Sequence, residues 1–481
     1  MTADTQTQPF CFNFSPTALF RQSRLAIASA KAKEVQPNTQ ADTVAPHLLL
    51  PNRTRTLRTY SKRNLLINIR EDILITIMKL IHLHIVTKTI KIDSKGIERL
   101  RLAVQTKDNV QGLTHNYYRY PARFSPKFVH EVIELFSEKG DVILDPFVGG
   151  GTTLVEALAS NRHSIGFDVS PIASFVAQTK TTLLSENDLQ IISKWADFVL
   201  QKRIVGVKST MTFYEDEGYL NNLPWTIKRS VKIILADIEF LKTEKQQRFA
   251  KCILLKTAQW AIDCRKSTPT AKHFRDKFSY NLKIFSNGIR ELTTAIAKHS
   301  KDNSLPQCIC INNSSDTINA CAELNLLPSK PKLVITSPPY IGVHMLYHQW
   351  QVNSRKRTRT PFWIINSLDG QGSAFYTFGH YQSHAKKTYF EIAEKVFTSI
   401  HSAIHDDGIV VQLVGFSDHK IFLKKYLEMM NAAGYEEIPI IIDKLNRIKR
   451  IWRNVPNRKW YNNTKNELSS SKEVLLIHRK K

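Results

Sequence analysis

The sequence lacks the features that mark several common classes of protein. No lysine follows the glycines at 149–151, which disfavours the phosphate-binding loop of nucleoside triphosphatases, since that loop needs Gly-Lys-Ser/Thr. The six cysteines show neither a Cys-x-x-Cys pair nor zinc-binding spacing, so we expect reduced thiols and no metal. No secretory signal opens the chain, and charged residues interrupt the apolar stretch 65–92. We therefore expect a cytoplasmic protein that does not cross a membrane.

Acidic residues are scarce beside basic ones. The 481 residues include 68 Lys and Arg but only 42 Asp and Glu, which gives a formal net charge of +26. So strong a positive charge implies a polyanionic partner, and we predict that it is a nucleic acid bound in a salt-dependent way. A hydrophobic content of 42% allows a proper core in one large or two ordinary domains.

The most informative stretch combines a short apolar run with a glycine turn. Residues 142–144 are Val-Ile-Leu, typical of a strand buried on both faces, and Asp145 follows directly. Three glycines at 149–151 allow the backbone to approach a ligand, and Thr152 or Thr153 can cap a helix. A second strand ends at Asp168. Strand, glycine turn, helix, strand and acid together predict a nucleotide-binding half of an α/β sheet.

The identity of the nucleotide follows from the two acids. A dinucleotide fold requires a third small residue where Leu154 stands, and the charge of Asp145 would repel a pyrophosphate. A cationic ligand fits better. S-adenosylmethionine carries a sulfonium, an ammonium group and two ribose hydroxyls, and Asp168 can accept hydrogen bonds from those hydroxyls. The alternative is a glycine turn in an unrelated α/β protein.

A second stretch suggests the substrate. Residues 333–335 again predict a buried strand, and Ser337-Pro-Pro-Tyr340 forms its carboxyl-terminal tip. The prolines remove backbone N–H groups, so that carbonyl oxygens are left to point outward. The Ser337 hydroxyl and the Pro338 carbonyl can both accept from one planar amino group, and Tyr340 offers a flat face for a base. The alternative is an inert loop that ends a strand.

Together these stretches resemble the amino-methyltransferases of DNA. Asp145-Pro-Phe-Val-Gly-Gly-Gly-Thr-Thr153 is similar to the cofactor motif of that family, and Thr336-Ser-Pro-Pro-Tyr340 to its catalytic motif in the serine form. The segment 117–127 resembles the part that closes over the methionine end of the cofactor. The resemblance implies an α/β, Rossmann-like methyltransferase sheet with a helical insertion, and S-adenosyl-L-methionine as cofactor. It also implies double-stranded DNA with a flipped base as substrate, and a cognate restriction endonuclease as partner.

The resemblance also implies roles for individual residues, and it requires the two strand tips to lie side by side. Those expected to be catalytic are Ser337, Pro338, Pro339 and Tyr340. Those expected to bind the cofactor are Tyr120, Pro121, Asp145, Pro146, Phe147, Gly149, Gly151, Thr152, Asp168 and, beyond the strand predicted at 308–311, Asp316.

Two basic, aromatic stretches, 344–384 and 444–461, predict contacts with DNA, although a mobile surface loop is the alternative for the first. The residues expected to bind DNA are Arg355, Lys356, Arg357, Arg359, Arg447, Arg450, Arg453 and Arg458.

Four regions follow from this interpretation. We expect residues 1–111 to be poorly ordered or accessory and residues 112–182 to form the cofactor half of the methyltransferase domain. Residues 183–304 show apolar positions at three- and four-residue spacing, which predicts a helical insertion that either reads the target or acts as a structural lid. We expect residues 305–481 to form the catalytic half, with a final antiparallel pair of strands at 437–442 and 473–477.

The serine form of the motif is associated in the family mainly with the N4 of cytosine, and we predict a site-specific DNA methyltransferase of that kind. Methylation of the N6 of adenine, or of a base amine in RNA, is the alternative activity. A catalytically silent DNA-binding subunit of a restriction system is the alternative without catalysis. A cytosine C5 enzyme is disfavoured because the chain contains no Pro-Cys dipeptide to supply a nucleophile.

Overall fold

A computed structural model defines the fold. It describes residues 92–120, 123–201, 218–299, 305–341, 349–353, 356–370, 375–378, 385–416, 418–442, 448–454 and 472–481. All of these residues lie in one compact unit formed by residues 82–481. None of the helices in these ranges is long and apolar enough to cross a membrane.

The strands and helices alternate along the chain. The strands are β1 (Val142–Asp145), β2 (His163–Phe167), β3 (Cys308–Ile311), β4 (Leu333–Thr336), β5 (Trp350–Val352), β6 (Lys356–Thr358), β7 (Ile409–Gly415), β8 (Tyr435–Glu437), β9 (Ile441–Ile442), β10 (Ile448–Lys449), β11 (Trp452–Asn454) and β12 (Lys472–Lys480). The α-helices are α1 (Ser94–Gln105), α2 (Pro126–Phe136), α3 (Thr152–Ala159), α4 (Pro171–Thr181), α5 (Glu186–Gln201), α6 (Trp225–Ile238), α7 (Glu244–Ile262), α8 (Ala271–His299), α9 (Thr360–Ile365), α10 (Ala385–Ala403) and α11 (His419–Ala432).

An eight-stranded sheet forms the centre of the molecule. Its order is β3-β2-β1-β4-β7-β12-β11, and β8 also pairs with β12. The five strands from β3 to β7 are parallel, whereas β12 runs antiparallel to β7, β8 and β11. The chain moves outward from β1 to β3 in one direction and from β4 to β7 in the other. The point between β1 and β4 is therefore a topological switch point, where open α/β sheets bind their ligands.

Both faces of the sheet are covered, which explains the continuous apolar runs that predicted β1 and β4. On one face, Val142 and Leu144 pack with residues of α10 and α11. On the other face, Ile143, Leu333 and Ile335 pack with residues of α1 and α2. Alternate residues of each short strand thus belong to different hydrophobic clusters. The resulting parallel sheet with flanking helices confirms the predicted α/β, Rossmann-like fold.

Within the described residues, the region between β2 and β3 contains α4 to α8, of which α5 to α8 lie in the stretch 183–304 that was predicted to be helical. Its apolar faces form one cluster that also takes in Tyr117 and Tyr118 before α2 and Trp363 of α9. The β5–β6 hairpin attaches to this region, because the Cys264 amide donates to the Gln351 carbonyl at 2.9 Å. The boundaries predicted at 112, 183 and 305 remain predictions, and residues 1–91 lie outside the described ranges.

Two local predictions need correction. The residue that caps α3 is Gly151, with φ of +74°, and not a threonine hydroxyl. A Cβ atom at Gly151 would lie 3.1 Å from Ala177, so both the left-handed backbone and the close approach of α4 require glycine. The predicted antiparallel pair 437–442 with 473–477 is present in part: β8 pairs with β12, whereas β9 pairs with β10.

Candidate active site

A cavity of about 650 Å³ lies at the switch point, above the carboxyl ends of the parallel strands. The segments that follow β1, β2, β3 and β4 all contribute to its wall. Ile143 and Leu144 of β1 pair directly with Leu333 and Val334 of β4. The glycine turn and the proline-rich tip, which are far apart in sequence, therefore share one hollow. This confirms the prediction that the two strand tips are neighbours.

Asp168 joins the glycine turn to the second strand. Its carboxylate accepts from the backbone amides of Gly149 and Ser170, at 2.8 Å each, so that one carboxylate holds both loops. Burial raises the pKa of Asp168 to about 6, against the opposing effect of these two hydrogen bonds. Because each carboxylate oxygen can accept more than one hydrogen bond, Asp168 retains acceptor capacity toward the cavity that it lines.

Asp145 lies beneath the turn and does not line the cavity. The side chain is 1% exposed, and one carboxylate oxygen accepts from the Phe147 amide at 3.1 Å. Burial raises the pKa of Asp145 to about 7. The Pro146 carbonyl accepts from the Ser315 hydroxyl, which connects the tips of β1 and β3. Within this motif, Phe147, Gly149 and Thr152 are the predicted cofactor residues that face the cavity.

A buried lysine supports the glycine turn from below. Lys180 of α4 is 0% exposed, and its ammonium group donates to the Gly150 carbonyl at 2.6 Å. Burial lowers the pKa of Lys180 to about 7. The bond fixes the position of the Gly150 carbonyl within the turn.

The segment before α2 closes one side of the cavity with Tyr120, Arg123 and Phe124. Tyr120 was predicted to lie here, and Pro121 lies outside the described residues. Arg123 was missed. One guanidinium nitrogen of Arg123 donates to the carbonyls of His115 and Tyr118, at 3.2 and 3.3 Å. These bonds direct a positive charge into a cavity whose wall, within the described residues, also carries the acid Asp168.

The tip of β3 contributes Asn312, Asn313, Ser314 and Ser315 to the cavity. The Asn312 amide group donates to the Asp168 carbonyl at 2.8 Å and so links the second and third strand tips. Asp316, which was predicted to contact the cofactor, is exposed on the short 3₁₀ helix Ser315–Ala320 and does not line the cavity. The polar tip thus reaches the cavity, whereas the side chain singled out within it does not line the cavity.

The four residues of the proline-rich tip all line the cavity, as predicted. The Ser337 hydroxyl donates to the Tyr340 hydroxyl at 2.9 Å, and that hydroxyl donates to Glu473 at 2.6 Å. The Pro339 carbonyl accepts from Tyr389 at 2.7 Å. Sequence reasoning missed Glu473, whose only signal was an acid at the start of an apolar strand.

The Tyr340 ring lies against the backbone of β7. A Cβ atom at Gly415 would lie 2.8 Å from two carbons of that ring, so glycine is needed for the close approach. Gly415 is directly opposite Glu473 in the pairing of β7 with β12. The strand register therefore brings the Tyr340 hydroxyl to the Glu473 carboxylate.

Part of the stretch 344–384 also reaches the cavity. Residues Phe375, Tyr376, Thr377 and Phe378 line it, and the rings of Phe378 and Phe147 are 5.5 Å apart, edge to face. An aromatic wall thus faces the glycine turn.

The residues predicted to bind DNA lie in two places. Lys356 and Arg357 are exposed on the β5–β6 hairpin, and the Arg359 guanidinium lies 4.4 Å from the centre of the Tyr219 ring. Arg450 and Arg453 instead bind carboxylates, those of Glu437 at 2.7 Å and Glu473 at 2.6 Å. The Arg453 side chain is only 10% exposed, which leaves little surface for a phosphate. Arg355, Arg447 and Arg458 lie outside the described residues.

Known proteins that are similar to part of this chain include several type II methyltransferases. Residues 91–177 match the model of a family described as DNA methylase, of the N6 and N4 type. The type II methyltransferase M.MvaI of Kocuria varians is 31% identical over 119 residues, which is 24% of this chain and 25% of that protein. M.MjaII of Methanocaldococcus jannaschii is 36% identical over 80 residues, 17% of this chain and 14% of the relative. M.BsoBI of Geobacillus stearothermophilus is 36% identical over 107 residues, 22% of this chain and 20% of the relative.

The matched segments thus span a quarter or less of these relatives' lengths. Among solved structures, an rRNA methyltransferase from Streptomyces viridochromogenes aligns over 81% of this chain and 93% of its own. The identity is 10% and the TM-score is 0.31, too low to relate the two proteins. The matched residues include the glycine turn and the segment before α2, whereas the third stretch that suggested the family, Thr336–Tyr340, lies outside the match. Residues 91–177 are therefore similar to the DNA methylases of the N6 and N4 type, and the resemblance inferred from the motifs is confirmed.

Proposed function

We propose that this protein transfers a methyl group from S-adenosyl-L-methionine to an exocyclic amine of a DNA base, namely the N4 of cytosine. The observation that supports this proposal is the shared cavity at the switch point. The glycine turn with Asp168 forms one side of it, and Ser337 with Pro338 forms the other. A donor and an acceptor bound in the two halves would meet at its centre, as a direct transfer requires.

The side chains present fit the proposed cofactor. Asp168 supplies a carboxylate for two ribose hydroxyls, and Asn312 and Asn313 supply amides near the end of β3 for an adenine. Arg123 supplies a guanidinium for the carboxylate of the methionine moiety, with nitrogens that are not used in its bonds to His115 and Tyr118. When bound, the cofactor supplies an electrophilic methyl group on a sulfonium. A cavity of about 650 Å³ falls within the range of small-molecule sites.

The residues of the second strand tip then hold the base. The Ser337 hydroxyl and the Pro338 carbonyl accept from the two N–H bonds of the amine, which turns the nitrogen lone pair toward the glycine turn. An aromatic amine is a poor nucleophile, and acceptors placed on its N–H bonds stabilise the positive charge that develops on nitrogen. Tyr340 stacks on the base. No covalent intermediate with the chain is required.

A positively charged surface beside the helical region is the proposed path of the DNA backbone. The Arg265 guanidinium lies 4.7 Å from the centre of the Trp260 ring, and the Lys277 ammonium lies 4.0 Å from that of Tyr280. These residues line a second, open hollow. Arg265 also pairs with Val352 of the hairpin that exposes Lys356 and Arg357. Mixed cations and aromatic rings suit phosphates and unstacked bases.

The base that is modified can be identified without knowing the recognition sequence. The chain is expressed in a bacterial host that lacks its own DNA methyltransferases, and the DNA is hydrolysed to nucleosides for mass spectrometry. We expect N4-methyldeoxycytidine in this DNA and none in a host with an empty vector. Detection of N6-methyldeoxyadenosine instead would show that adenine is the base that is methylated. Methylated nucleosides found only in RNA would contradict a DNA substrate. Single-molecule sequencing of the same DNA then gives the recognition sequence.

The hairpin is tested by the salt dependence of DNA binding. We expect the double substitution Lys356→Ala and Arg357→Ala to reduce the slope of log Kd against log salt by about one for each phosphate that the variant no longer binds. The measurement is fluorescence anisotropy with a labelled duplex at several salt concentrations. Lys424→Ala, which removes another exposed lysine, from α11, is the control. An unchanged slope in the double variant would mean that DNA does not cross the hairpin.

A further inference from the structure

Four side chains form a continuous series of hydrogen bonds that begins at the cavity and ends inside the protein. Ser337 bonds to Tyr340 at 2.9 Å, Tyr340 to Glu473 at 2.6 Å, and Glu473 to Arg453 at 2.6 Å. Glu473 is 3% exposed and lies on β12, directly opposite Arg453 of β11. An ionic pair at this depth therefore lies behind the proposed catalytic tip.

The charge on Glu473 fixes the direction of every bond in the series. An ionised carboxylate can only accept, so the Tyr340 hydroxyl must donate to it. The Tyr340 oxygen is then left to accept, and it accepts the proton of Ser337. The proton of Ser337 thus points away from the base, and the lone pairs of its oxygen remain for the N–H groups of the incoming amine.

Arg453 has a defined part in this arrangement. Burying a carboxylate is costly unless its charge is paired and hydrogen-bonded. The guanidinium of Arg453, at 2.6 Å from the Glu473 carboxylate, supplies that pairing. Arg453, which the sequence suggested as a phosphate ligand, therefore stabilises the acceptor state of Glu473.

We propose that Glu473 is a positioning residue, which acts through Tyr340 to keep Ser337 as a hydrogen-bond acceptor for the target amine. The proposal rests on the proposed function, since it assigns a purpose to the same serine. A neutral side chain at 473 could present an N–H group to Tyr340, and the series could then run in the opposite direction. Ser337 would in that case present its own proton to the amine, and the lone pair of the amine would be drawn away from the methyl donor.

The test is Glu473→Gln, which keeps the size of the side chain and removes its charge. We expect kcat for methyl transfer to fall about 10- to 100-fold, with unchanged KM for DNA and unchanged Kd for S-adenosylmethionine. Rates are measured by transfer of a tritiated methyl group to genomic DNA, and Kd by calorimetry. Tyr340→Phe breaks the same series without disturbing the Glu473–Arg453 pair, so we expect a similar fall in kcat, and we expect the two effects not to add in the double variant.

The matched control is Glu437→Gln. Glu437 of β8 forms an ion pair with Arg450, at 2.7 Å, and lies next to β12, but it does not line the cavity. We expect its kcat to stay within about twofold of the unsubstituted protein. Full kcat in Glu473→Gln, or an equal fall in Glu437→Gln, would overturn the proposal. Absence of methyl transfer by the unsubstituted protein on any nucleic acid would instead refute the proposed function. If Glu473→Gln fails to fold, Tyr340→Phe alone decides, because an undiminished kcat there is incompatible with the series.

Discussion

Ser337→Ala is expected to lower the rate of methyl transfer about 100- to 1,000-fold, the range typical of removing one hydrogen-bonding group aimed at developing charge. The hydroxyl is one of the two acceptors that we assign to the amine, and the alanine side chain cannot accept. Binding of S-adenosylmethionine should stay unchanged, because the residues proposed to hold it lie before α2 and after β1, β2 and β3, and not in the tip of β4. Single-turnover transfer of a tritiated methyl group, together with calorimetry of cofactor binding, separates the two effects.

The control for this substitution is Ser399→Ala. Ser399 is a buried serine of α10 whose hydroxyl donates to Asn319 at 2.9 Å, away from the cavity lining. Ser399→Ala also removes a serine hydroxyl from the same compact unit. A fall in rate caused only by lower stability of the fold should therefore appear in both variants. A rate in Ser337→Ala within about threefold of the unsubstituted protein would mean that the serine does not hold the amine, and the assignment of the catalytic tip would fail.

Asp168→Asn is expected to weaken S-adenosylmethionine about 100-fold, since it alters two hydrogen bonds to a charged acceptor. In the unsubstituted protein, the affinity for S-adenosylmethionine should depend on pH. Because burial raises the pKa of Asp168 to about 6, the carboxylate is ionised above that pH and takes up a proton below it. The affinity should therefore be constant above about pH 7 and fall as the pH drops below 6. In Asp168→Asn the affinity should be low throughout, with a flatter profile.

Asp145 titrates nearby, with a pKa raised by burial to about 7, but it does not line the cavity and remains in the variant. Any pH dependence that survives in Asp168→Asn can therefore be attributed to Asp145 and other groups. Glu186→Gln, which breaks a surface pair with Arg290, is the control for the loss of a carboxylate. Equal affinity of Asp168→Asn and the unsubstituted protein at pH 7.5 would exclude Asp168 as the ribose ligand.

The sheet was predictable because its parallel strands are buried on both faces. Residues 142–144 and 333–335 are uninterrupted apolar runs, and each ends at a polar tip, which marked both strands and the side on which a ligand binds. The β5–β6 hairpin was not predicted. Its strands are three residues long and are held in place by Asp263 and Cys264, so tertiary contacts rather than local propensity define them.

Within the site, the sequence located whole segments better than single residues. At the tip of β3 a 3₁₀ turn buries Ser315 and exposes Asp316, and a difference of one residue cannot be inferred from composition. Glu473 is 133 residues from Tyr340, and only the register of β7 with β12 and the missing side chain of Gly415 bring the two together. In the segment before α2, only Tyr120 and Pro121 were predicted to bind the cofactor, and the neighbouring Arg123 was not considered.

The position of β12 affects how this polypeptide emerges from the ribosome. In the eight-stranded sheet, β8 and β11 each pair with β12, which is translated after both. Until β12 has been translated, β8 and β11 lack the strand with which they pair in this sheet. Unpaired strand edges can bind chaperones or the same strands of neighbouring nascent chains. The glycine turn, by contrast, precedes β12 by more than 300 residues and can fold early. The two halves of the cavity are therefore completed at different times during translation. The series of hydrogen bonds from Ser337 to Glu473 forms only when residues 472–480 join the sheet.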